Sequence, residues 1–529
     1  MAEKQEKYWS KKGPDGDWDY IVIGSGMGGM TSAALLATLG KKVLVLEQHF
    51  VPGGFTHMFR RKNWIWDVGV HAVGEVTRHS MSGRLLDKIT GGHLKWSSLG
   101  SVYEQFYFPD DFRLDFPDNP KQFKDNLMAA FPDEEPAIDR YIQYAADVSA
   151  GMKGYYFART LPPWLARPFD WVLARKAQNY LEMNTAEVVN GLTDNEQLRA
   201  VMTAQWAYYG STPSRSSFAM QALVNKHYKH GAYYPVGGAR EIARCLLRTV
   251  AEAGGWTRIN ADVAEILMKG NRAVGVRMKD GEEIFAGKVI SATGIAATIR
   301  RLLPERFHQQ EWAKSIMALK PAPAHVCLYL GFKGDIRKTG ASGANKWFYN
   351  TWDAEVDYWD ISDPDSPAPV LYCSFPSLKD PDHDPGPEVL HTGEVVTFVP
   401  FSAFQKWRDT AWKKRGEEYE AFKKQLHDSL LRQFLERMPD LEPMIAYSEL
   451  STPLTTDNFC RPQSGSIYGL EPTPERFRNP HLGPHSPIKN LYFSGSEVCS
   501  VGVIGAMMGG VLGAMAAEPL PAFRLMGRL

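Results

Sequence analysis

The chain has 529 residues, of which 44% are hydrophobic and 12% are aromatic, enough for a large core and for two domains. Lys and Arg together number 60, as do Asp and Glu, so no net charge attracts nucleic acid, and that class of partner is excluded. The five cysteines are isolated and lack the spacing of a metal site, which predicts a reducing compartment and no metal centre.

Residues 1–17 are polar and contain no apolar segment of the kind found in a secretory signal. We therefore predict no signal peptide and a cytoplasmic protein. The segment is expected to lead into the first strand while docking loosely on the rest of the chain.

A βαβ unit is predicted immediately afterwards. The apolar run Tyr20–Ile23 ends in a glycine-rich turn, a helical pattern follows, and a second apolar run covers Val43–Leu46. This order of elements is typical of a dinucleotide-binding fingerprint. The glycines of the turn are Gly24, Gly26, Gly28 and Gly29.

Each conserved feature of such a fingerprint has a physical role. Gly24 permits the tight turn, Gly26 lets the backbone approach a pyrophosphate, and Gly29 lets the helix lie close to the strand. The helix N-terminus then offers unpaired N–H groups to the phosphates. Glu47, which closes the second apolar run, is placed to accept hydrogen bonds from an adenosine ribose.

Residues 231–299 and 484–520 are predicted to complete the nucleotide domain begun by residues 18–100. The first of these stretches opens with an amphipathic helix and continues with three short strands. The apolar face of that helix comprises Ile242, Leu246, Leu247 and Val250, and the strands cover residues 262–267, 273–278 and 288–291.

The intervening residues 101–230 and 301–483 are rich in Trp, Tyr, Phe and Met, and we predict that they form a mixed α+β substrate domain. Helices are expected over Asn126–Val148 and from about Trp407 to Met438, and strands over residues 325–332 and 394–401.

The longest apolar stretch, Ser500–Ala517, approaches the length of a membrane span. It is dense in glycine and follows a strand-like run, so we predict a buried helix beneath a cofactor. No transmembrane helix is expected anywhere in the chain.

The segment VPGGFTHMFRRKNWIWDVGVHAVGE, which follows Glu47 after a short interval, resembles the FAD-binding start of the phytoene desaturase-like flavoproteins. That superfamily includes carotenoid desaturases, carotenoid isomerases and retinol saturases. The resemblance implies a Rossmann-type α/β domain of the glutathione reductase kind that holds FAD. Because the sequence shows no attachment site for the flavin, we expect the FAD to be bound non-covalently. It also implies that the double glycine Gly53-Gly54 approaches the flavin side of the cofactor.

Other cofactor residues are implied by the same resemblance. In VAEIL the backbone of Val263 would contact adenine, and VISATG would bring Gly294 to the cofactor. In the late motif NLYFSGSEVCSVGVIGAMMGG, Glu497 would lie near the ribityl and pyrophosphate groups, while Gly505 and Ala506 would begin a helix under the isoalloxazine. Arg60 or Arg61 would contact phosphate or ribityl oxygens.

Several motifs, WDVGVHAVGE, AYYPVGGA, STPLTTDNF, GSIYGLE and SEVCSVGVIGAMMGG, resemble those of retinol saturase and its bacterial relatives. The branch implies an enzyme that saturates one C=C bond of a hydrophobic polyene or isoprenoid lipid. Because no second GxGxxG follows a strand, electrons would come from NADPH that visits transiently or from another external donor.

Three alternatives stay open at this point. Hydride delivery and removal at the same site would isomerise a polyene without net redox change, and oxidised flavin would desaturate it. A flavin-free prenyl-lipid escort, as in the Rab GDP-dissociation inhibitors, shares this architecture. The sequence makes no prediction of oligomeric state.

A polyene site should be a long, water-poor tunnel that ends at the flavin. For the proton donor, His71 is the first candidate, with Glu75 orienting it or acting itself. Weaker candidates for the site are Tyr468 and Thr455. Examples of aromatic residues available to line the tunnel are Trp206, Tyr208, Tyr209, Tyr233, Tyr234 and Phe348.

The segment Leu161–Leu181 mixes aromatic and basic residues in the manner of a membrane interface, and the C-terminal PLPAFRLMGRL is similar. We predict a peripheral membrane attachment that involves Trp164, Phe169 and Trp171. The alternative is an amphipathic surface packed on its own domain.

Overall fold

The computed structural model describes residues 8–14, 16–161, 180–363 and 365–528. The predicted α/β class is confirmed: two large sheets and the helices around them make up the described chain. The interfacial segment predicted over Leu161–Leu181 lies outside the described residues, apart from its two ends.

The first sheet has eight strands, and its six parallel strands form the nucleotide-binding half. An antiparallel extension adds Val263–Met268 and Ala273–Met278 beside Glu283–Ser291. The parallel strands, in spatial order, are Trp9–Ser10, Trp256–Arg258, Val43–Leu46, Trp18–Ile23, Glu283–Ser291 and Leu491–Phe493.

The N-terminal lead-in is more ordered than the sequence predicts. Trp9–Ser10 extends the first sheet by pairing in parallel with Trp256–Arg258. The neighbouring Tyr8 is buried. An aromatic pair inside a polar segment therefore secures the start of the chain at the sheet edge.

Helices Met27–Thr38 and Gly502–Ala517, here the fingerprint helix and the late helix, lie against each other through glycines. A Cβ on Gly28 would lie 2.5 Å from Gly495 Cα, and one on Gly510 would lie 2.4 Å from Gly28 O. The helix predicted over Ser500–Ala517 is confirmed as a buried helix. No helix in the described part of the chain combines the length and the apolar composition that a bilayer crossing needs.

The second sheet has seven strands and is antiparallel apart from one pair. The parallel pair joins Asn345–Tyr349 to Val102–Tyr107. In spatial order the strands are Ile445–Ser451, Ala324–Lys333, Leu390–Val399, Val370–Ser374, Asn345–Tyr349, Val102–Tyr107 and Arg113–Pro117. All of them come from residues that the sequence assigns to the substrate domain.

A hairpin of Met58–Arg61 and Trp64–Asp67 links the two sheets. Its indole N–H groups reach the second sheet, since Trp64 Nε1 donates to Phe332 O at 3.2 Å and Trp66 Nε1 donates to Leu330 O at 2.9 Å. These bonds fix the segment that follows the hairpin and therefore the position of His71. A second hairpin joins Trp96–Ser98 to Tyr233–Pro235.

Two predicted helices differ in their bounds. The helix predicted over Asn126–Val148 is two helices, Pro120–Ala130 and Glu135–Thr160, because a short 3-10 segment that begins at Pro132 separates them. The helix predicted from Trp407 begins only at Glu417, after Gly416 at φ 89°. The other α-helices among the described residues are Met81–Ile89, Thr185–Asn190, Glu196–Thr203, Phe218–His227, Arg240–Glu252, Ile295–Leu302, Glu311–Met317, Pro453–Phe459, Pro474–Arg478 and Pro519–Met526.

Candidate active site

A cavity of about 1400 Å³ is lined by residues of both sheets and of the helices between them. Pockets for drug-sized ligands usually measure about 300–1000 Å³, so this space suits a dinucleotide together with a substrate. Its lining includes the fingerprint turn, Ala261 and Val263, and it also includes aromatic side chains such as Tyr208 and Tyr372.

The fingerprint helix presents its N-terminus to the cavity. Gly26 is the N-cap residue, and no side chain caps the first turn. A Cβ on Gly26 would meet no protein atom within 4 Å, because Gly26 faces the open space of the cavity. The turn therefore leaves unpaired N–H groups and an open approach, which is the arrangement that a pyrophosphate requires.

Glu47 also lines the cavity and is held by its neighbours. Glu47 Oε2 accepts hydrogen bonds from the backbone N–H of Ser25 at 2.9 Å and from its hydroxyl at 2.6 Å. Glu47 Oε1 accepts one from His49 N at 2.7 Å. These bonds fix the orientation of the carboxylate and leave further lone pairs for a ligand.

The double glycine folds back on the fingerprint turn. Gly53 and Gly54 have φ of 125° and 57°, and Gly53 N donates to Ser25 Oγ at 3.1 Å. A Cβ on Gly54 would lie 2.9 Å from Gly26 Cα. Larger residues would therefore separate the two segments that form this wall of the cavity.

Glu497 has a partner that the sequence does not reveal. Glu497 Oε2 accepts hydrogen bonds from Ile295 N at 2.6 Å and Ala296 N at 3.2 Å, so this carboxylate caps the helix Ile295–Leu302. Burial raises the pKa of Glu497. Glu497 and Gly294 both line the cavity, so a cofactor contact remains a proposal beside this capping role.

The start of the late helix forms another wall. Gly505 and Ala506 line the cavity, and no side chain caps the helix N-terminus. A Cβ on Gly505 would lie 2.3 Å from Ser500 O, so only glycine allows this close turn.

The structure does not bring the predicted arginines to the cavity. Arg60 is exposed on the hairpin and is not among the lining residues. Arg61 forms an ion pair with Glu449, with 3.1 Å between Nε and Oε2.

His71 lies in the cavity wall, but Glu75 is not its partner. Instead, 2.9 Å separates His71 Nδ1 from Oε2 of the buried Glu394, although the two atoms are not aligned for a hydrogen bond. Burial and the charge of Lys379 lower the pKa of His71 to about 3, so the imidazole is neutral near pH 7. Burial also raises the pKa of Glu394.

Glu75 belongs to a cluster of ionisable residues that lines the cavity. Glu75 Oε1 lies 2.7 Å from Lys226 Nζ, and Oε2 lies 3.8 Å from His227 Nδ1. Burial favours a higher pKa for Glu75, but His227 and Lys226 outweigh it and lower the pKa to about 2. An ionised carboxylate of this kind has no proton to donate near neutral pH.

The predicted tunnel aromatics and the two weaker site candidates, Tyr468 and Thr455, divide into two groups. Tyr208, Tyr233 and Tyr468 line the cavity. The remaining candidates are absent from the lining and are buried elsewhere or belong to a helix cap; they are Trp206, Tyr209, Tyr234, Phe348 and Thr455.

Sequence reasoning missed a cluster of buried ionisable residues behind this wall: Asp67, Glu104, Lys379 and Glu394. Two of them were signalled by lone charges within apolar strands. Glu104 interrupts VYEQFY, and Glu394 interrupts LHTGEVVTFV. A charged residue that faces inward on a strand needs a partner or a proton, which is a recognisable sign of a site.

These residues fit a flavin dinucleotide, because the helix N-terminus at Gly26 is open to a pyrophosphate and the buried carboxylate of Glu47 can accept hydrogen bonds from a ribose. Residues 27–517 match the protein family described as flavin containing amine oxidoreductase. The chain belongs to this family. It is therefore a flavin-dependent oxidoreductase, and the predicted membership of a flavoprotein family is confirmed.

The relatives place the chain within the predicted branch. It is 32% identical to the all-trans-retinol 13,14-reductase of Danio rerio, over 93% of this chain and 84% of the relative. A Danio rerio protein named inactive all-trans-retinol 13,14-reductase is also 32% identical, over 96% of this chain and 87% of the relative. Prolycopene isomerase 1 from an Oncidium hybrid cultivar is 25% identical, over 94% and 83%.

The solved structures support the same fold. Putrescine oxidase bound to putrescine superposes with a TM-score of 0.62 at 15% identity, over 96% of this chain and 100% of the oxidase. At this identity the comparison shows the fold alone. The flavoprotein therefore shares the amine oxidase architecture.

Replacing Gly26 with alanine should separate folding from cofactor binding. The new methyl group meets no protein atom, so the apoprotein should lose at most about 1 kcal/mol of unfolding free energy, the usual range for an N-cap change. It occupies the open approach to the helix N-terminus, so flavin affinity should fall by roughly tenfold or more. Thermal melting of the apoprotein and flavin titration would measure the two effects. Gly483→Ala, which also has open space, is the control and should change neither.

Proposed function

We propose that this flavoprotein binds FAD non-covalently and saturates one C=C bond of a conjugated polyene or isoprenoid lipid. The observation that carries the proposal is the single cavity that joins a dinucleotide-type helix N-terminus to an aromatic wall. The names of the retinol reductase relatives, which match over most of the chain, support the substrate class.

Different residues that line the cavity have different roles. We propose that the fingerprint turn and the late helix hold the pyrophosphate and flavin, that Glu47 holds a ribose, and that Val263 contacts adenine. FAD, when reduced, supplies a hydride to a conjugated carbon. The aromatic wall excludes water from the reacting bond and positions the polyene. His71, which is neutral, acts there as a hydrogen-bonding side chain.

Electrons would come from an external donor, either NADPH or another reductant that visits the flavin. The chain carries no second GxGxxG after a strand, which supports a transient visit over a dedicated second nucleotide domain. A reductant that bleaches the visible absorption of the oxidised flavin in the isolated protein under anaerobic conditions would identify this donor.

An anaerobic incubation of the holoprotein with all-trans-retinol and, separately, with a carotenoid mixture tests the proposal. Chemically reduced protein should add two hydrogen atoms to the substrate while the flavin is reoxidised, as mass and absorption would show. A product of unchanged mass and altered spectrum would instead establish isomerisation, which the prolycopene isomerase relative favours as the second candidate. Loss of two hydrogen atoms with oxidised protein would establish desaturation.

We also propose that the C-terminal helix Pro519–Met526 meets a membrane surface. Leu520 is 73% exposed and Phe157 is 44% exposed, and the Phe157 ring contacts Phe523 at 5.6 Å between centroids. Phe157, Phe523 and Met526 line the cavity, so this exposed apolar patch adjoins a mouth through which a lipid would enter.

Replacing Leu520 with glutamate should weaken the binding of the protein to liposomes by several-fold, because a charge would enter the apolar patch. Flotation with neutral and anionic vesicles would measure the effect. Phe285→Glu is the matched control, since Phe285 is 58% exposed on the strand Glu283–Ser291 of the first sheet and is not among the residues that line the cavity. Equal loss of binding in both variants would contradict the proposed surface.

A further inference from the structure

The cluster behind the aromatic wall holds more acidic groups than its cation can neutralise. Asp67, Glu104 and Glu394 are each at most 1% exposed, and Lys379 is 4% exposed. An unpaired buried carboxylate is so costly that it takes up a proton instead. One ammonium among three carboxyl groups therefore leaves protons stored on the cluster.

Hydrogen bonding indicates that Lys379 carries its charge. Lys379 Nζ donates to His71 O at 2.7 Å, to Ser374 Oγ at 2.7 Å and to Asn345 Oδ1. Three acceptors match the three hydrogens of an ammonium group. Burial lowers the pKa of Lys379, and the surrounding carboxyl groups oppose that effect.

Glu104 is connected to the cavity through its hydrogen-bond partners. The Tyr208 hydroxyl donates to Glu104 Oε1, Asn345 Nδ2 donates to the same oxygen at 2.9 Å, and Trp347 Nε1 donates to Oε2. Tyr208 lines the cavity, whereas Glu104 does not. Trp347 lines the cavity as well, but its indole N–H is a donor only and cannot take up a proton, so a proton that leaves Glu104 for the cavity passes through Tyr208.

We propose that Tyr208 is the proton donor to the reacting carbon and that Glu104 resupplies its proton. This inference rests on the proposed function and names the acid for that reaction. Tyr208 acts on the substrate directly, and Glu104 acts through it. Neither the neutral His71 nor the ionised Glu75 offers a comparable proton to the cavity.

The transfer balances in two linked steps. The Tyr208 hydroxyl, which donates to Glu104 in the resting protein, rotates towards the substrate, and its oxygen then accepts a hydrogen bond from the protonated Glu104. After hydride addition, the electron pair of the substrate carbanion forms a C–H bond with the Tyr208 hydroxyl proton, and the O–H bond of Tyr208 breaks. The carboxylic proton of Glu104 then moves to the phenolate oxygen. Glu104 is left as a carboxylate beside Lys379, and solvent returns its proton before the next turnover. Protonation is favourable because a phenol is a much stronger acid than an allylic C–H bond.

The surroundings of Glu104 keep it protonated towards neutral pH. Burial raises its pKa, and the hydrogen bonds from Tyr208, Asn345 and Trp347 only partly oppose this effect. The titratable groups that act on Glu104 or that Glu104 acts on are Tyr103, Tyr208, Tyr228, Tyr349, Tyr372 and Lys379. The reaction rate should accordingly fall as pH rises through the raised pKa of Glu104.

The test compares Tyr208→Phe and Glu104→Gln with the control Tyr209→Phe, a neighbouring buried tyrosine outside the cavity lining. Single turnovers of reduced holoprotein with all-trans-retinol would be followed across pH. Tyr208→Phe should slow saturation by about 100-fold, Glu104→Gln should remove the pH-dependent limb, and Tyr209→Phe should change neither. Infrared spectra supply a second readout: Asp67 and Glu394 contribute to the protonated carboxyl absorption near neutral pH, and Glu104→Gln should remove the Glu104 component from it.

Each outcome bears on the inference separately from the proposed function. Saturation by Tyr208→Phe at the rate of Tyr209→Phe would overturn the donor role while the function stands. A carboxyl band that persists unchanged in Glu104→Gln would overturn the role of Glu104. If the wild-type protein makes no saturated product, the proposed function fails, and the donor role of Tyr208 falls with it.

Discussion

Replacing Gly29 with alanine should destabilise the nucleotide half of the flavoprotein and abolish its yellow colour. A Cβ at this position would lie 2.0 Å from Gly24 O and 3.1 Å from Gly24 C, which are backbone atoms of the fingerprint turn. Alanine gains about 1 kcal/mol of helix propensity over glycine. The clash outweighs this gain, because the turn or the helix must move, and we expect a net loss of about 3 kcal/mol.

Urea unfolding and the flavin content of purified protein would measure these effects. Gly26→Ala provides the comparison within the same turn, since it should fold normally and lose only affinity. If Gly29→Ala retained the wild-type urea midpoint and a full complement of flavin, the close contact between helix and turn would be refuted.

The nucleotide half was predictable because its signals are local. The strand Val43–Leu46 matches its predicted bounds, and the predicted helix face of Ile242, Leu246, Leu247 and Val250 is fully buried. Periodicity, glycine positions and a terminal acid act within one short stretch of chain, so reading them needs no tertiary information.

The partners of the site residues were not predictable, because they come from distant segments. His71 meets Glu394 instead of Glu75, which turns to Lys226. Glu104 meets Asn345 because two parallel strands place these residues side by side, and it meets Tyr208 from the separate 3-10 segment Trp206–Tyr208. A motif indicates which residue type is present, whereas sheet register decides which side chain it faces.

Resemblance to a family has the same limit. The late motif led to Glu497, but the sequence did not show that this carboxylate caps the helix Ile295–Leu302. The sequence predicts that Arg60 or Arg61 contacts the cofactor. In the structure, Arg61 on the hairpin forms an ion pair with Glu449 on the second sheet. Both residues have structural partners that the motif alone leaves unspecified.

Replacing Lys379 with methionine should destabilise the protein in a strongly pH-dependent way. A carboxyl group whose pKa is raised by folding stabilises the folded state at low pH and loses that contribution as pH rises through the raised pKa. Burial and Glu394 already raise the pKa of Asp67 to about 7, and burial raises the pKa of Glu104. Without the Lys379 charge, the pKa of Glu104 should rise further.

We therefore expect Lys379→Met to lose about 3 kcal/mol at pH 8, where the cluster would hold an uncompensated carboxylate. Near pH 5 the carboxyl groups are protonated, so the loss should fall below about 1 kcal/mol. Lys346→Met is the matched control: Lys346 is also buried, but its partner is the neutral Gln105. Urea midpoints across this pH range would measure both variants. A loss in Lys379→Met that did not change with pH, or that Lys346→Met reproduced, would show that Lys379 only fills space and neutralises no carboxylate.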